Sequence, residues 1–365
     1  PSLARRSLPH ATEQGDPLGS VARRFPQAAS LLDLAPQRPH DNLSMRSFPP
    51  RNVPSLEVIR ARSGLLPGQP YAGLAETDQG TVLTRIRPGS YAAAEEWEGL
   101  KPAEQHVALL METAAALGDD LLFSHHSGAA LLGIPIFGSY PSKANVSCVH
   151  RGGGLSTTYV TRHTTMKLPE TVSVGKLKCT SPARTAIDIA RTDTFHSALI
   201  AMDHVLRTGL ASEDQLRTEL DLIGRARGAH RASLVLERAD PLSESPGESL
   251  SRARMYQLGA PIPILQKVFH NPDGRFVGRT DYYWEEEDAV GEFDGLTKYR
   301  RGQESTPEDI VTAEKVREDD IRLLVSKFIR WTWQEAAAVT PLETKLRRSG
   351  ILKGLPIRLF GLSAR

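Results

Sequence analysis

The stretch that most constrains this chain runs from Arg279 to Lys298: Arg-Thr-Asp-Tyr-Tyr-Trp-Glu-Glu-Glu-Asp-Ala-Val-Gly-Glu-Phe-Asp-Gly-Leu-Thr-Lys. Two β-prone runs, 280–284 and 289–293, flank an acidic turn. A two-residue turn at Glu286 and Glu287 predicts an antiparallel hairpin. That register sets Asp281 directly opposite Glu292. Asp294 then leaves the sheet on the same face as Glu292, because side chains alternate along a strand. Like charges facing each other destabilise a sheet by up to about 1 kcal/mol. Acids gathered in this way predict a cation between them, and hard ions such as Mg²⁺ are held by one or two carboxylates plus water and phosphate oxygens. Without the ion the carboxylates would repel, so that removing one charge would relieve the fold. A polar, solvated hairpin face is the alternative. A slip of one residue would send Asp281 and Glu292 to different faces.

Asp281, then ten residues, then Glu292-Phe293-Asp294-Gly295, resembles the core of the PD-(D/E)XK nuclease superfamily. It is most similar to the branch related to very-short-patch-repair endonucleases. The resemblance takes in Glu248 on an acidic helix, Gln266 on a strand, and Glu314, Lys315 and Arg317 on a later helix, and spans roughly 240–350. It implies a restriction-endonuclease-like domain over 240–365 with a mixed central sheet. It also implies Mg²⁺ or Mn²⁺ as cofactor, held by Asp281, Glu292 and Glu248, and DNA as substrate. The reaction would be phosphodiester hydrolysis, in which the ion stabilises developing charge and lowers the pKa of the attacking water. Asp281, Glu292 and Asp294 are the leading catalytic candidates. The superfamily's lysine, two residues after the glutamate, is Asp294 here. Lys298 is the candidate to supply that cation, and Gln266 to position the water or phosphate. Glu314 and Arg317 are expected to brace the site or to form a surface pair.

A chain of 365 residues predicts two or three domains. Its formal net charge of +2 gives no global basic field, although arginines crowd the first sixty residues. Cys148 and Cys179 lie far apart and make neither a C-x-x-C pair nor a zinc framework. No apolar run approaches the length of about 20 residues needed to span a bilayer. The chain starts at Pro1 without the apolar core of a signal peptide. These features predict a cytoplasmic protein with no membrane association.

Residues 1–52, rich in Pro, Arg and Ser, are expected to form a disordered basic arm. A helix from Ser55 to Arg62 and a hairpin turning at Pro88-Gly89 make 53–98 a winged-helix-like segment. Arg85 and Arg87 alternate with apolar neighbours and are expected to project from one face as DNA contacts, since phosphates carry most non-specific affinity. An ordinary solvated hairpin is the alternative. A helix follows at 102–117 with Val107, Leu110, Met111 and Ala114 on one stripe. Another begins at Ser124-His125-His126. These histidines read as capping or packing residues, with metal ligation the alternative. Strands are expected at 143–149, 156–164 and 172–179. Ser181-Pro182 signals a helix start, with further helices at about 195–208, 212–223 and 229–238.

Ser124-His125-x-Ser127-x-Ala129-Ala130, Thr180-Ser181-Pro182-x-Arg184-Thr185 and Ala198–Gly209 resemble AbiEi-family antitoxins of type IV toxin–antitoxin systems. That resemblance makes 99–239 a middle domain and implies transcriptional regulation and a cognate toxin as partner. The fold class is therefore α/β (α+β overall) in three parts. Two functions are expected from it: a metal-dependent DNA endonuclease with a DNA-binding amino-terminal region, or an AbiEi-like antitoxin and regulator with an inactive nuclease-like domain.

Overall fold

A computed structural model describes residues 47–60, 74–76, 81–118, 120–149, 156–295 and 307–354. All of them belong to one unit, Met45–Arg365. Lys298, the Arg151–Gly154 loop, residue 306 and the first 46 residues lie outside the described residues.

The chain enters through β1 (Ser47–Phe48) and β2 (Ile59–Arg60). It then forms β3 (Leu74–Glu76), β4 (Val82–Arg87), β5 (Ser90–Ala93) and the short helix α1 (Ala94–Gly99). Strands β2, β5, β4 and β3 make one antiparallel sheet in that order. Two expectations fail in this part. Residues 55–60 are not helical, and Ile59 and Arg60 instead pair with Tyr91 and Ser90. The end of the supposed arm is ordered as well: β1 pairs in parallel with a strand of the middle domain, Phe48 packs on its core, and the Asn52 side-chain amide donates to the Ala130 carbonyl at 2.8 Å.

The middle of the chain comprises α2 (Pro102–Leu117), β6 (Leu122–Phe123), α3 (His125–Leu132), β7 (Ala144–Val149) and β8 (Val160–Thr165). It continues with β9 (Thr171–Val174), β10 (Leu177–Thr180), α4 (Pro182–Thr192), α5 (Phe195–Arg207), α6 (Glu213–Ile223) and α7 (Ala229–Leu236). Their six-stranded sheet runs β1-β9-β10-β6-β7-β8. The single strand expected at 172–179 is a tight hairpin. Gly175, at φ +58°, turns the chain where a side chain would be strained. Ser181 caps α4 by accepting from the Arg184 N–H at 3.3 Å, with Pro182 at the first helical position. On α2, Val107, Leu110 and Ala114 are buried as expected, but Met111 is 42% exposed.

The last part consists of α8 (Pro246–Leu258), β11 (Ile264–His270), β12 (Phe276–Trp284), β13 (Ala289–Asp294), α9 (Pro307–Arg322), β14 (Lys327–Thr332), α10 (Trp333–Ala337) and α11 (Thr340–Arg348). Its sheet runs β11-β12-β13-β14, with the first three strands antiparallel and β14 parallel to β13 across the α9 crossover. Tyr282, Trp284, Phe293 and Trp331 fill one core with residues of α8, α10 and α11. Phe269, Val290 and Ile321 make a smaller core with Tyr283 and Phe328 on the α9 side. Gly291 is required at its position, since a Cβ there would lie 2.7 Å from the Trp331 ring and 2.9 Å from that of Trp284.

Helices α5 and α8 join the middle and final parts. Ala253 of α8 belongs to the middle core, and Ile200 of α5 to the final one. Between the helices, buried Arg252 donates to Asp203 at 2.7 Å, to the Ser243 hydroxyl at 3.1 Å and to the Arg238 carbonyl at 2.6 Å. Asp203 also accepts from the Asp240 N–H. Removing one partner of such a pair leaves a buried charge uncompensated, at a cost of about 3–5 kcal/mol. Asp203→Ala is therefore expected to lower stability by about that amount in urea melts, and a loss below about 1 kcal/mol would show that the pair does not tie the two helices.

Candidate functional site

The hairpin has the register its sequence predicts. Tyr282 faces Gly291, Tyr283 faces Val290 and Trp284 faces Ala289. Within the turn, the Asp288 N–H donates to the Glu285 carbonyl across Glu286 and Glu287. One step beyond the paired residues, Asp281 and Glu292 occupy facing positions. The neighbouring strands extend this level. Leu265 faces Tyr282 and Lys267 faces Thr280, so Gln266 lies level with Asp281. Glu292 is in parallel register with Arg330. A polar row, Gln266–Asp281–Glu292–Arg330, thus crosses all four strands of the sheet. Gln266 holds φ +52°, a left-handed conformation uncommon outside glycine.

Each acid of this row accepts hydrogen bonds. Glu292, 7% exposed, accepts from Arg317 of α9 at 2.9 and 3.0 Å and from Arg330 of β14 at 2.9 Å. Arg317 also donates to Glu314 and to the Arg279 carbonyl. Arg330 also reaches Glu314 at 3.1 Å and Glu318 at 3.0 Å. Burial opposes the charge on Arg317, but the hydrogen bond it donates to Glu314 and the charge of Glu292 outweigh burial and raise its pKa. Asp281 accepts from the Phe293 N–H at 2.8 Å. Glu248, at the start of α8, accepts from the Glu244 N–H, the Ser245 hydroxyl and the Gln266 amide. Asp294, half-buried, ends β13 in register with Thr332.

The expected metal ligands can be compared with this geometry. Asp281, Glu292 and Glu248 were expected to share an Mg²⁺ or Mn²⁺ ion. Among the described residues, no group of three or more His, Cys, Asp or Glu side chains is arranged to hold one. Both oxygens of Glu292 already accept from guanidinium groups, so the donor set as placed does not fit a divalent ion. Arg317, expected to brace the site or to form a surface pair with Glu314, binds both Glu292 and Glu314. Arg330 was not anticipated. It reaches Glu292 through a parallel pairing separated by 38 positions in sequence, and no local spacing points to it.

The two wing arginines also part company. The register shifts between Arg85 and Arg87, so they do not share a face. Arg85 is exposed. Arg87 is 7% exposed and donates to the Glu112 carbonyl at 2.6 Å, close to a buried Glu112 carboxylate that accepts from Arg60 and Ser90. Arg87 is thus a structural residue rather than a surface phosphate contact.

The histidines that open α3 are packing residues. The His125 ring stacks on that of His163 at 3.6 Å, and burial pushes its pKa well below 6.5. His126 pairs with Asp193 at 2.9 Å. His106 meets the Ser127 hydroxyl at 3.0 Å, and burial takes its pKa down to about 4. Burial takes His196 and His204 down to about 4 as well.

No family model matches the chain. Two curated relatives, uncharacterized protein MT2308 of Mycobacterium tuberculosis strain CDC 1551 / Oshkosh and uncharacterized protein Rv2248 of strain H37Rv, are each 30% identical over 122 residues, which is 33% of this chain. The chain spans 44% of the length of these relatives. A crystal structure of the RV2827C protein from Mycobacterium tuberculosis aligns with 52% of this chain and 73% of its own, at 13% identity and a TM-score of 0.28.

The arginine clamp reverses the sign expected for unpaired acids. Glu292→Gln should leave Arg317 and Arg330 short of a counter-charge and lower stability by roughly 1–3 kcal/mol in metal-free buffer, the range for a hydrogen bond to a charged group. A variant that melts at or above the wild-type temperature would restore the picture of mutually repelling acids. The buried histidines set the acid limb. Their folded pKa values lie below the unfolded value of 6.5, so the stability they contribute is complete above that pH. It is lost as pH falls toward 4. Melting temperatures should therefore drop steadily from pH 7 to pH 5, whereas a flat profile would mean that these rings can be protonated in place.

Proposed function

We propose that the chain is a DNA-binding regulator of the AbiEi-like antitoxin kind, whose nuclease-like carboxy-terminal domain engages DNA without cutting it. The observation that carries this reading is the hold of Arg317 and Arg330 on Glu292 at 2.9–3.0 Å. A carboxylate whose two oxygens both accept from guanidinium groups is a poorer ligand for a hard cation, because the ion would have to compete with both arginines for its charge. Asp294 in the position of the superfamily's lysine supports the same reading. DNA affinity would come from exposed cations at phosphates, Arg85 of the β4–β5 turn region among them. A cognate toxin would be the protein partner.

One observation favours a metal-dependent endonuclease instead. The register brings Gln266, Asp281 and Glu292 to one level of the sheet, the arrangement that the nuclease resemblance implies.

Plasmid nicking with millimolar Mg²⁺ or Mn²⁺, run on wild type and Asp281→Ala together, separates the two. The regulator reading expects DNA binding by both proteins and nicking by neither. Nicking by wild type that is lost in Asp281→Ala would establish the endonuclease. In the same binding assay Arg85→Ala is expected to weaken affinity for all sequences alike and to lower the salt slope by about one. Unchanged affinity would move the phosphate contact away from β4.

A further inference from the structure

A cleft of about 440 Å³ lies between the segment preceding β2, helix α2 and the β9–β10 turn. Its volume falls within the range of about 300–1,000 Å³ typical of small-molecule sites. Val107, Ala114, Leu131 and Val174 make its apolar floor. Met111, 42% exposed, stands at its side, which accounts for a methionine turned outward from an otherwise buried helical stripe. The charged residues lining the cleft are all cations: Arg51, Arg60 and Lys176. Arg60 is neutralised by a two-pronged pair with Glu112, at 3.0 and 2.7 Å. Arg51 and Lys176 are exposed and have no acid partner among the described residues. The lining therefore combines apolar side chains with two cations, Arg51 and Lys176, that have no acid partner among the described residues.

We propose that this cleft binds a small anionic amphiphile, a molecule with an apolar body and a single acidic head such as a medium-chain carboxylate. The body would displace water from the α2–α3 floor, and the head would lie between Lys176 and Arg51. A neutral apolar ligand would leave both cations unmatched, and a cationic one would be repelled. The site belongs to the middle domain and does not depend on the reading of the carboxy-terminal acids.

The test uses the full chain and the fluorescent probe 8-anilinonaphthalene-1-sulfonate, an anion with an apolar body. The probe should bind with enhanced fluorescence and be displaced by decanoate below its micellar concentration, but not by decyltrimethylammonium of the same chain length. Lys176→Glu reverses a charge on an exposed turn and should weaken decanoate about fivefold, with a shallower dependence on salt. Ala115→Trp places a ring in the cleft from the exposed side of α2 and should weaken probe and decanoate at least about tenfold, as expected when a pocket is filled. Circular dichroism and the melting temperature report whether Ala115→Trp folds, and if it does not, Lys176→Glu decides alone. The proposal is overturned if neither probe nor decanoate binds, if the cationic amphiphile displaces the probe as well as decanoate does, or if folded variants bind both with wild-type affinity.

Discussion

Glu292 ties the carboxy-terminal domain together. It sits on β13, nearly buried, and it holds α9 through Arg317 and β14 through Arg330. Those two elements are the crossover and the parallel strand it delivers, the part of the sheet that cannot form by a local turn. A buried carboxylate is stable only if its charge is met. Here the charge is met by guanidinium groups, which present paired planar donors to a carboxylate and never lose their proton. One interaction therefore closes the sheet and occupies the acid on which a metal centre would depend.

The same physical demand shapes the junction with the middle domain. Asp203 on α5 and Arg252 on α8 are both buried and satisfy each other, with the Ser243 hydroxyl and the Arg238 carbonyl taking further donors of Arg252. The apolar residues of the two helices are shared between the cores on either side. A boundary drawn at residues 239 and 240 thus marks a change of sheet but not an independent core. Movement at this junction would have to break a paired buried charge as well as apolar packing.

Much of this was legible in the sequence, and what was missed has physical reasons. The hairpin register followed from turn position and alternation, and helices α2 to α8 followed from caps, prolines and periodic apolar residues. The split of β9 from β10 hung on one glycine, and the alternation of apolar and polar residues from Val172 to Cys179 reads as a single strand with or without it. Arg87 was misplaced because a register shift, invisible in alternation, turns it inward while Arg85 stays out. Arg330 could not be found because its partner lies across a parallel crossover, where sequence distance carries no geometric information. The row Gln266–Asp281–Glu292 was readable as a set of positions. The partners of each member were not, since they depend on which helix covers which face.

Arg317 and Arg330 meet the charge of Glu292, and that hold should not depend on a divalent ion. A double-mutant cycle of Glu292→Gln and Arg330→Gln, measured by urea melts with and without millimolar Mn²⁺, addresses it directly. A favourable coupling of about 1 kcal/mol or more is expected, unchanged when Mn²⁺ is added. A coupling near zero, together with stabilisation of the wild type by Mn²⁺ that disappears in Glu292→Gln, would contradict it.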